Sequence, residues 1–168
     1  MRGTYYEQIF IELYGTPEST IVIMPYDSDS ITIDGENSPI VDWGRIIYIR
    51  NSRYIEIRNF YVKNAGPGGN AAGIMCENCE HIKIIGNHTF NTTSSGIGVW
   101  NSHHISIDSN EVVLVCNDGE EECISVDSSW NVRVSYNFVH DGGPGNNGGE
   151  GIDEKNVSHQ VEIFQKCN

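Results

Sequence analysis

At 168 residues and 38% hydrophobic, the chain carries enough apolar mass to bury a core, so one folded domain is expected rather than a disordered segment. Its 23 acidic against 10 basic side chains leave a formal charge of −13, which repels nucleic-acid phosphates and acidic membrane surfaces. No run approaches the roughly 18 apolar residues of a membrane span, and MRGTYYEQ has no apolar stretch resembling a signal peptide, so neither nucleic acid nor membrane is an expected partner.

The chain opens on GTYYEQIFI, a strand-like stretch from Gly3 to Ile11, and continues through GTPESTIVIMPYDSDSITIDG. From Ile46 the sequence repeats. IIYIRNSRYIEIRN from Ile46, GIMCENCEHIKIIGN from Gly73, GIGVWNSHHISIDSN from Gly96, CISVDSSWNVRVSYN from Cys123 and GIDEKNVSHQVEIF from Gly151 align on one pattern. Each runs apolar-x-apolar, a polar turn, then apolar-x-apolar, which predicts two short strands per unit. No helical period occurs. Asparagine recurs in the first turn (Asn51, Asn78, Asn101, with Ser128 substituting) and after the second strand (Asn59, Asn87, Asn110, Asn137). Its tolerance of left-handed backbone and its amide suit the sharp bends of stacked coils. Unequal spacing between units places insertions at one point of the coil, the two long ones running from Val115 to Glu122 and from His140 to Glu150.

A unit this small cannot bury its apolar face alone, so the units must stack, each strand pairing in parallel with its equivalent one turn on. The expected fold is therefore all-β: a single-stranded parallel β-helix, a solenoid forming one domain over residues 1–168. The repeats from Ile46 onward, with the upstream GTYYEQIFI and the continuation IIYIRNSRYIEIRNFYV, resemble the right-handed β-helix repeat superfamily of pectate-lyase-like polysaccharide lyases, polygalacturonases, epimerases and phage tailspikes. That resemblance implies a right-handed solenoid, an extracellular or cell-surface location, and a polysaccharide or oligosaccharide partner. Its members usually begin with a further strand and a capping helix, whereas strand pattern starts here at Gly3. The expectation is a solenoid lacking an N-terminal cap, a fragment of a longer one, or a subunit pairing into a homo-oligomer through uncapped ends.

Strand alternation then sorts the side chains. Ile47/Ile49, Ile74/Cys76, Ile97/Val99 and Ile124/Val126 point inward, leaving Tyr48/Arg50, Met75/Glu77, Gly98/Trp100, Ser125/Asp127 and Asp153/Lys155 outward. Glu154 falls at an inward position, where a buried, unpaired carboxylate would be costly. With coils about 4.8 Å apart, the outward column Arg50, Glu77, Trp100, Asp127, Lys155 spans roughly 19 Å, the length of a few sugar rings. An aromatic platform, carboxylates and cations together suit a saccharide groove, although mixed charge on a sheet surface also serves cross-strand pairing and solubility.

Resemblance to the β-helix lyases implies β-elimination on acidic polysaccharide, with Ca²⁺ neutralising the uronate carboxylate and a lysine or arginine removing the C5 proton. Lys155 is then the base candidate, with Asp127 and Asp153 also catalytic. Asp127, Glu150 and Asp153 are the candidate calcium ligands, and Trp100, Glu77, Arg50 and His140 the candidate substrate contacts. A glycoside hydrolase would instead pair Asp127 with Asp153 or Glu150, but the aspartate pair, Gly-His-Gly and Arg-Ile-Lys of polygalacturonases are absent. The rivals are a non-catalytic glycan-binding or tailspike-like surface module acting through Trp100, and a purely structural solenoid fragment.

His81, His103, His104 and His159 read as solvated turn residues. Of the five cysteines, Cys76 and Cys79 read as buried structural thiols, since no second metal-binding half-site follows their C-x-x-C spacing. Cys116 and Cys123 bracket an acidic loop and could be bridged in an oxidising compartment.

Overall fold

The computed structural model describes residues 3–27, 29–36, 42–118, 122–143, 151–156 and 158–164. These form six coils of three strands, with no helix among them. In chain order the coils are β1 (Gly3–Tyr5), β2 (Ile9–Ile11) and β3 (Ile21–Ile23); β4 (Ile31–Asp34), β5 (Arg45–Arg50) and β6 (Arg53–Arg58); β7 (Phe60–Ala65), β8 (Ala72–Glu77) and β9 (Glu80–Ile85). They continue as β10 (His88–Thr92), β11 (Ile97–Trp100) and β12 (His103–Asp108); β13 (Glu111–Val113), β14 (Ile124–Asp127) and β15 (Trp130–Ser135); β16 (Phe138–His140), β17 (Ile152–Lys155) and β18 (His159–Phe164). Equivalent strands pair in parallel into three six-stranded sheets: sheet A begins with β1, sheet B with β2 and sheet C with β3. The all-β parallel solenoid expected from the repeats is the fold of the described residues.

Two inward columns build sheet B: Ile47–Ile74–Ile97–Ile124–Ile152 and Ile49–Cys76–Val99–Val126–Glu154. Sheet C does the same with Ile55–Ile82–Ile105–Val132–Val161 and Ile57–Ile84–Ile107–Val134–Ile163. β-branched side chains pack well on such pleated surfaces, and most of these are 0–2% exposed. Glu154 sits in the last coil and is exposed, so its inward register costs no desolvation.

Each coil carries three strands rather than the two anticipated. Sheet A offers one fully inward column, Ile33–Val62–Thr89–Val112–Val139, with a threonine in the middle. β4 and β7 add a second apolar position, Ile31 and Phe60, but from β10 onward one inward position per strand leaves no alternation for a sequence pattern to reveal.

Side-chain ladders bind the corners. Between sheets B and C, residues 52, 79, 102, 129 and 158 are Ser, Cys, Ser, Ser and Ser. Each accepts from the backbone N–H one coil below: Leu13 N to Ser52 Oγ at 3.0 Å, Ser52 N to Cys79 Sγ at 3.5 Å, Cys79 N to Ser102 Oγ and Ser102 N to Ser129 Oγ at 3.0 Å, and Ser129 N to Ser158 Oγ at 3.2 Å. The preceding residues Asn51, Asn78, Asn101 and Ser128 all hold positive φ, between 47° and 53°, as the asparagine pattern implied, and Asn156, two residues before Ser158, does so at 57°.

Between sheets C and A, Asn87 N and Asn110 N donate to Asn110 Oδ1 and Asn137 Oδ1, both at 2.9 Å, while the three amides donate to Ile57, Ile84 and Ile107 carbonyls. Asn59 stands outside this ladder. Phe60 occupies the equivalent place, donating its N–H to Asn87 Oδ1, and Asn59 is an exposed residue at φ 62°. A third run, Asn117–Asn91–Asn64, passes amide hydrogen bonds of 2.9 and 2.7 Å down to Asp34 at the corner between sheets A and B.

Candidate functional site

The outward ladder of sheet B has the anticipated register: Arg50 beside Glu77, then Trp100, Asp127 and Lys155, one per coil. Tyr48, Met75, Gly98, Ser125 and Asp153 form the neighbouring column, so Asp127 and Asp153 lie in adjacent columns, one coil apart. Met75 and Ser125 in this second column are only 2% and 3% exposed. A Cβ at Gly98 would meet Met75 Cε at 2.4 Å, so the glycine is what lets Met75 lie flat beside Trp100.

The half-buried Trp100 is part of a cluster that the alternation pattern did not announce. The Arg45 guanidinium stands 5.4 Å from the Trp100 ring, 5.9 Å from Tyr48 and 6.0 Å from Trp43, and Trp43 meets Trp100 edge-on at 5.8 Å. Cation–π attraction strengthens when the cation is desolvated, and Arg45 is 7% exposed, its Nη1 donating to the Gly44 and Asn70 carbonyls. Trp43, by contrast, is 57% exposed and offers an open aromatic surface. Arg45 is the first residue of β5 and Trp43 lies two residues before it, where no period marks them; their signal in sequence is only a tryptophan and an arginine close together.

The charged positions are engaged. Glu77 accepts a hydrogen bond from Tyr48 Oη, and burial, then this carboxylate, push the phenol up to about 12. Asp127 accepts from Ser128 Oγ at 2.7 Å and from Asn156 Nδ2 at 2.5 Å. Lys155 Nζ pairs at 2.6 Å with Glu122 Oε1, whose side chain is only 8% exposed. Glu122 ends the acidic insertion at residues 115–122, and no repeat pattern sets it against Lys155. Of the three candidate calcium ligands, Glu150 lies outside the described residues, as does most of the Gly/Asn-rich loop before it. Among the described residues, no three His, Cys, Asp or Glu side chains gather in a metal-holding arrangement.

His140 is elsewhere. As the last residue of β16 it faces outward from sheet A, away from the Trp100 column, in the line Lys63, Phe90, Val113, His140. Its Nε2 lies 3.2 Å from Glu111 Oε1 and its Nδ1 2.9 Å from Asp141 Oδ2, while His88 Nδ1 holds Glu111 Oε2 at 2.8 Å. Asp141 first, then Glu111, raises the His140 pKa; His88 and then His140 lower that of Glu111. Glu111 lies on β13, a strand that the two-strand repeat pattern does not predict.

The histidines assigned to turns are in sheet C. Tyr54, His81 and His104 stack at 4.5 Å per step, each at positive φ, and His103, Trp130 and His159 form a second stack at 4.4 and 6.0 Å. Cys76 is core and Cys79 a corner-ladder member, as structural thiols should be; burial holds the Cys76 thiol well above its ordinary value. Cys116 and Cys123 are both buried, and contact with Cys116 lowers the pKa of Cys123.

The sequence model of a family described as periplasmic copper-binding protein (NosD) matches residues 11–163, nearly the whole solenoid. The chain belongs to the NosD family. Membership identifies the coils as those of a right-handed parallel β-helix. Among solved structures, this NosD-family chain is similar to a candidate glycosyl hydrolase from Parabacteroides merdae ATCC 43184, at 16% identity and a TM-score of 0.55, over 99% of this chain and 82% of that one. At that identity the likeness speaks for the fold alone. No curated protein matches the chain.

The family description raises copper, and the donors can be tested against it. Copper(I) favours thiolates and copper(II) favours clustered imidazoles. Here Cys76 is a buried protonated thiol, Cys79 is committed to the Ser52 and Ser102 ladder bonds, and the described imidazoles do not assemble in threes with other donors. Cys116 and Cys123 touch, but no third donor joins them, so the described residues assemble no copper centre of three or more such ligands.

Proposed function

We propose that this NosD-family chain binds an acidic oligosaccharide along the outer face of sheet B, outside the cytoplasm. The observation that carries this reading is the uninterrupted ladder Arg50–Glu77–Trp100–Asp127–Lys155 flanked by the Trp43–Arg45–Trp100 cluster. An exposed indole suits a sugar face, Arg50 suits a uronate carboxylate through a bidentate pair, and the hydrogen-bonded acids suit hydroxyls.

Calcium-assisted β-elimination is the finer reading. It assigns Lys155 as the proton acceptor, with Asp127, Asp153 and Glu150 holding the ion that neutralises the uronate. Lys155 Nζ is held against Glu122 Oε1 at 2.6 Å rather than standing open to a substrate proton. Elimination therefore requires that pair to open when substrate or calcium arrives; binding does not. Binding is accordingly the primary function proposed.

Calorimetric titration with oligogalacturonate, oligoalginate and glycosaminoglycan fragments, with and without Ca²⁺, tests both levels. Trp43→Ala and Arg50→Ala should each weaken binding about tenfold, the order of one aromatic or bidentate contact. A chain that binds none of these glycans removes the proposal. Ultraviolet absorbance of an unsaturated product, dependent on calcium and abolished by Lys155→Ala, would establish the lyase; binding without product leaves a glycan-binding module.

A further inference from the structure

The outer face of sheet C carries a second constellation, unconnected with the sheet B ladder. A cavity of about 400 Å³ lies between the ring stack of Tyr54, His81 and His104 on one side and the column Lys83, Ser106, Arg133 on the other. That volume is in the range of small-ligand sites. The rings stack along the solenoid axis, with 9° between Tyr54 and His81 and 30° between His81 and His104. Stacked this way they turn edges toward the trough, adding a phenol and imidazole N–H and N groups, able to donate and accept, to a lining that also includes Pro17, Ile82 and Ile105. Asn131 extends this lining by one coil, at the same left-handed backbone position as the three rings.

The cations are the informative part. In a protein with 13 more acids than bases, Lys83 is exposed and has no ion-pair partner among the described residues. Arg133 has none either, and its guanidinium lies 5.2 Å over Phe164. The acids nearby are otherwise placed: Glu56, next in the column, pairs with Arg58; Glu80 lies at His81; and Glu162 follows Arg133 in register without an ion pair. Lys83 and Arg133 are separated by the Ser106 coil, hence about 9.6 Å along the axis.

We propose that this trough is a second saccharide site, for an anionic sugar chain lying along the axis, with one acidic group on Lys83, the next on Arg133 and hydroxyls between them on Ser106, Asn131 and the ring edges. The spacing suits a polysaccharide bearing one acidic group per disaccharide. Carboxylate and sulfate share this chemistry, and Arg133 takes either through its planar fork. The site stands apart from sheet B, and neither requires the other.

The test is titration of the full chain with a uronate disaccharide repeat and with its sulfated counterpart, in three forms: wild type, Lys83→Ala/Arg133→Ala, and Trp43→Ala/Arg50→Ala. The sheet C double variant should lose one binding event, weakened at least tenfold, with both cations exposed enough for folding to survive. The sheet B variant should keep that event. Preference for the sulfated ligand assigns sulfate as the recognised group, and preference for the plain uronate assigns carboxylate. Equal binding by wild type and the Lys83/Arg133 variant, or a loss reproduced by Trp43→Ala/Arg50→Ala alone, overturns the proposal. A His104→Gln variant, which keeps a polar side chain, should reduce affinity severalfold without changing the salt dependence, a readout that a merely structural stack would not give.

Discussion

Lys155 Nζ and Glu122 Oε1 meet at 2.6 Å, joining the last described coil of sheet B to the residue that precedes Cys123. The carboxylate is nearly buried while the lysine is about one-third exposed, so the two ends of the pair are not equivalent. Removing the lysine strands a desolvated charge; removing the carboxylate strands one that water can reach.

Lys155→Met should therefore destabilise the fold by about 1–3 kcal/mol, less than a fully buried pair would give because Lys155 is partly solvated. Glu122→Gln should cost less, and Glu122→Gln with Lys155→Met should recover part of the loss. Urea denaturation of the four proteins closes the cycle, and additive effects would show that the contact contributes nothing.

Two glycines on one sheet should respond differently to alanine. The Cβ at Gly98 would meet the end of the flexible Met75 side chain at 2.4 Å, whereas at Gly73 it would meet the Gly96 carbonyl oxygen at 2.6 Å. Gly73→Ala should cost more than Gly98→Ala, which is expected at about 1–3 kcal/mol. Met75→Ala should relieve the second and leave the first unchanged, as read by thermal midpoints.

The corner ladder gives a sharper contrast. Asn110→Ala removes the acceptor of Asn87 N and the donor to Ile84 O, leaving buried backbone groups unpaired at a cost of about 2–4 kcal/mol. Asn59→Gly changes an exposed residue at φ 62° and should be neutral within a few tenths of a kcal/mol. Equal losses at the two positions would mean that Asn59 belongs to the ladder after all.

On sheet A, the pH dependence follows from the two opposed shifts. His140 has a raised pKa, so its contribution is complete below its ordinary value near 6.5 and fades as pH rises through the folded value. Glu111 has a lowered one, so its contribution is complete above its ordinary value near 4.5 and fades as pH falls through the folded value. Wild type and Glu111→Gln should differ most in thermal midpoint between these limits and converge on both sides. Both groups are accessible, so the difference should be small and shrink with salt.

Legibility in the sequence followed the number of inward residues per strand. Sheets B and C present two each, and from Ile47 to Ile152 that pattern fixes the register on which Arg50, Glu77, Trp100, Asp127 and Lys155 align. Sheet A beyond β7 presents one, and in β10 it is Thr89, so a strand that carries His88 looks like loop. Trp43, Arg45 and Glu122 reach the site from the ends of connections, where position depends on how a loop folds back rather than on any period. The ring stacks of sheet C were hidden for a related reason: left-handed backbone at Tyr54, His81 and His104 breaks the alternation that would have marked them as outward.

The serine, cysteine and asparagine ladders at the corners have a consequence for how such a surface can change. Because the B–C corner ties each coil's backbone to the next, and the other two corners add ties over most of the stack, the height of a side chain along the axis is set by its coil number and not by the length of the loops between coils. Loops can grow or shrink, altering what overhangs the faces, while the charges on those faces move only in whole steps of one coil. Specificity for a polymer of given repeat is thus graduated like a ruler: tuned at each mark by point substitution, and altered in pitch only by gaining or losing a coil.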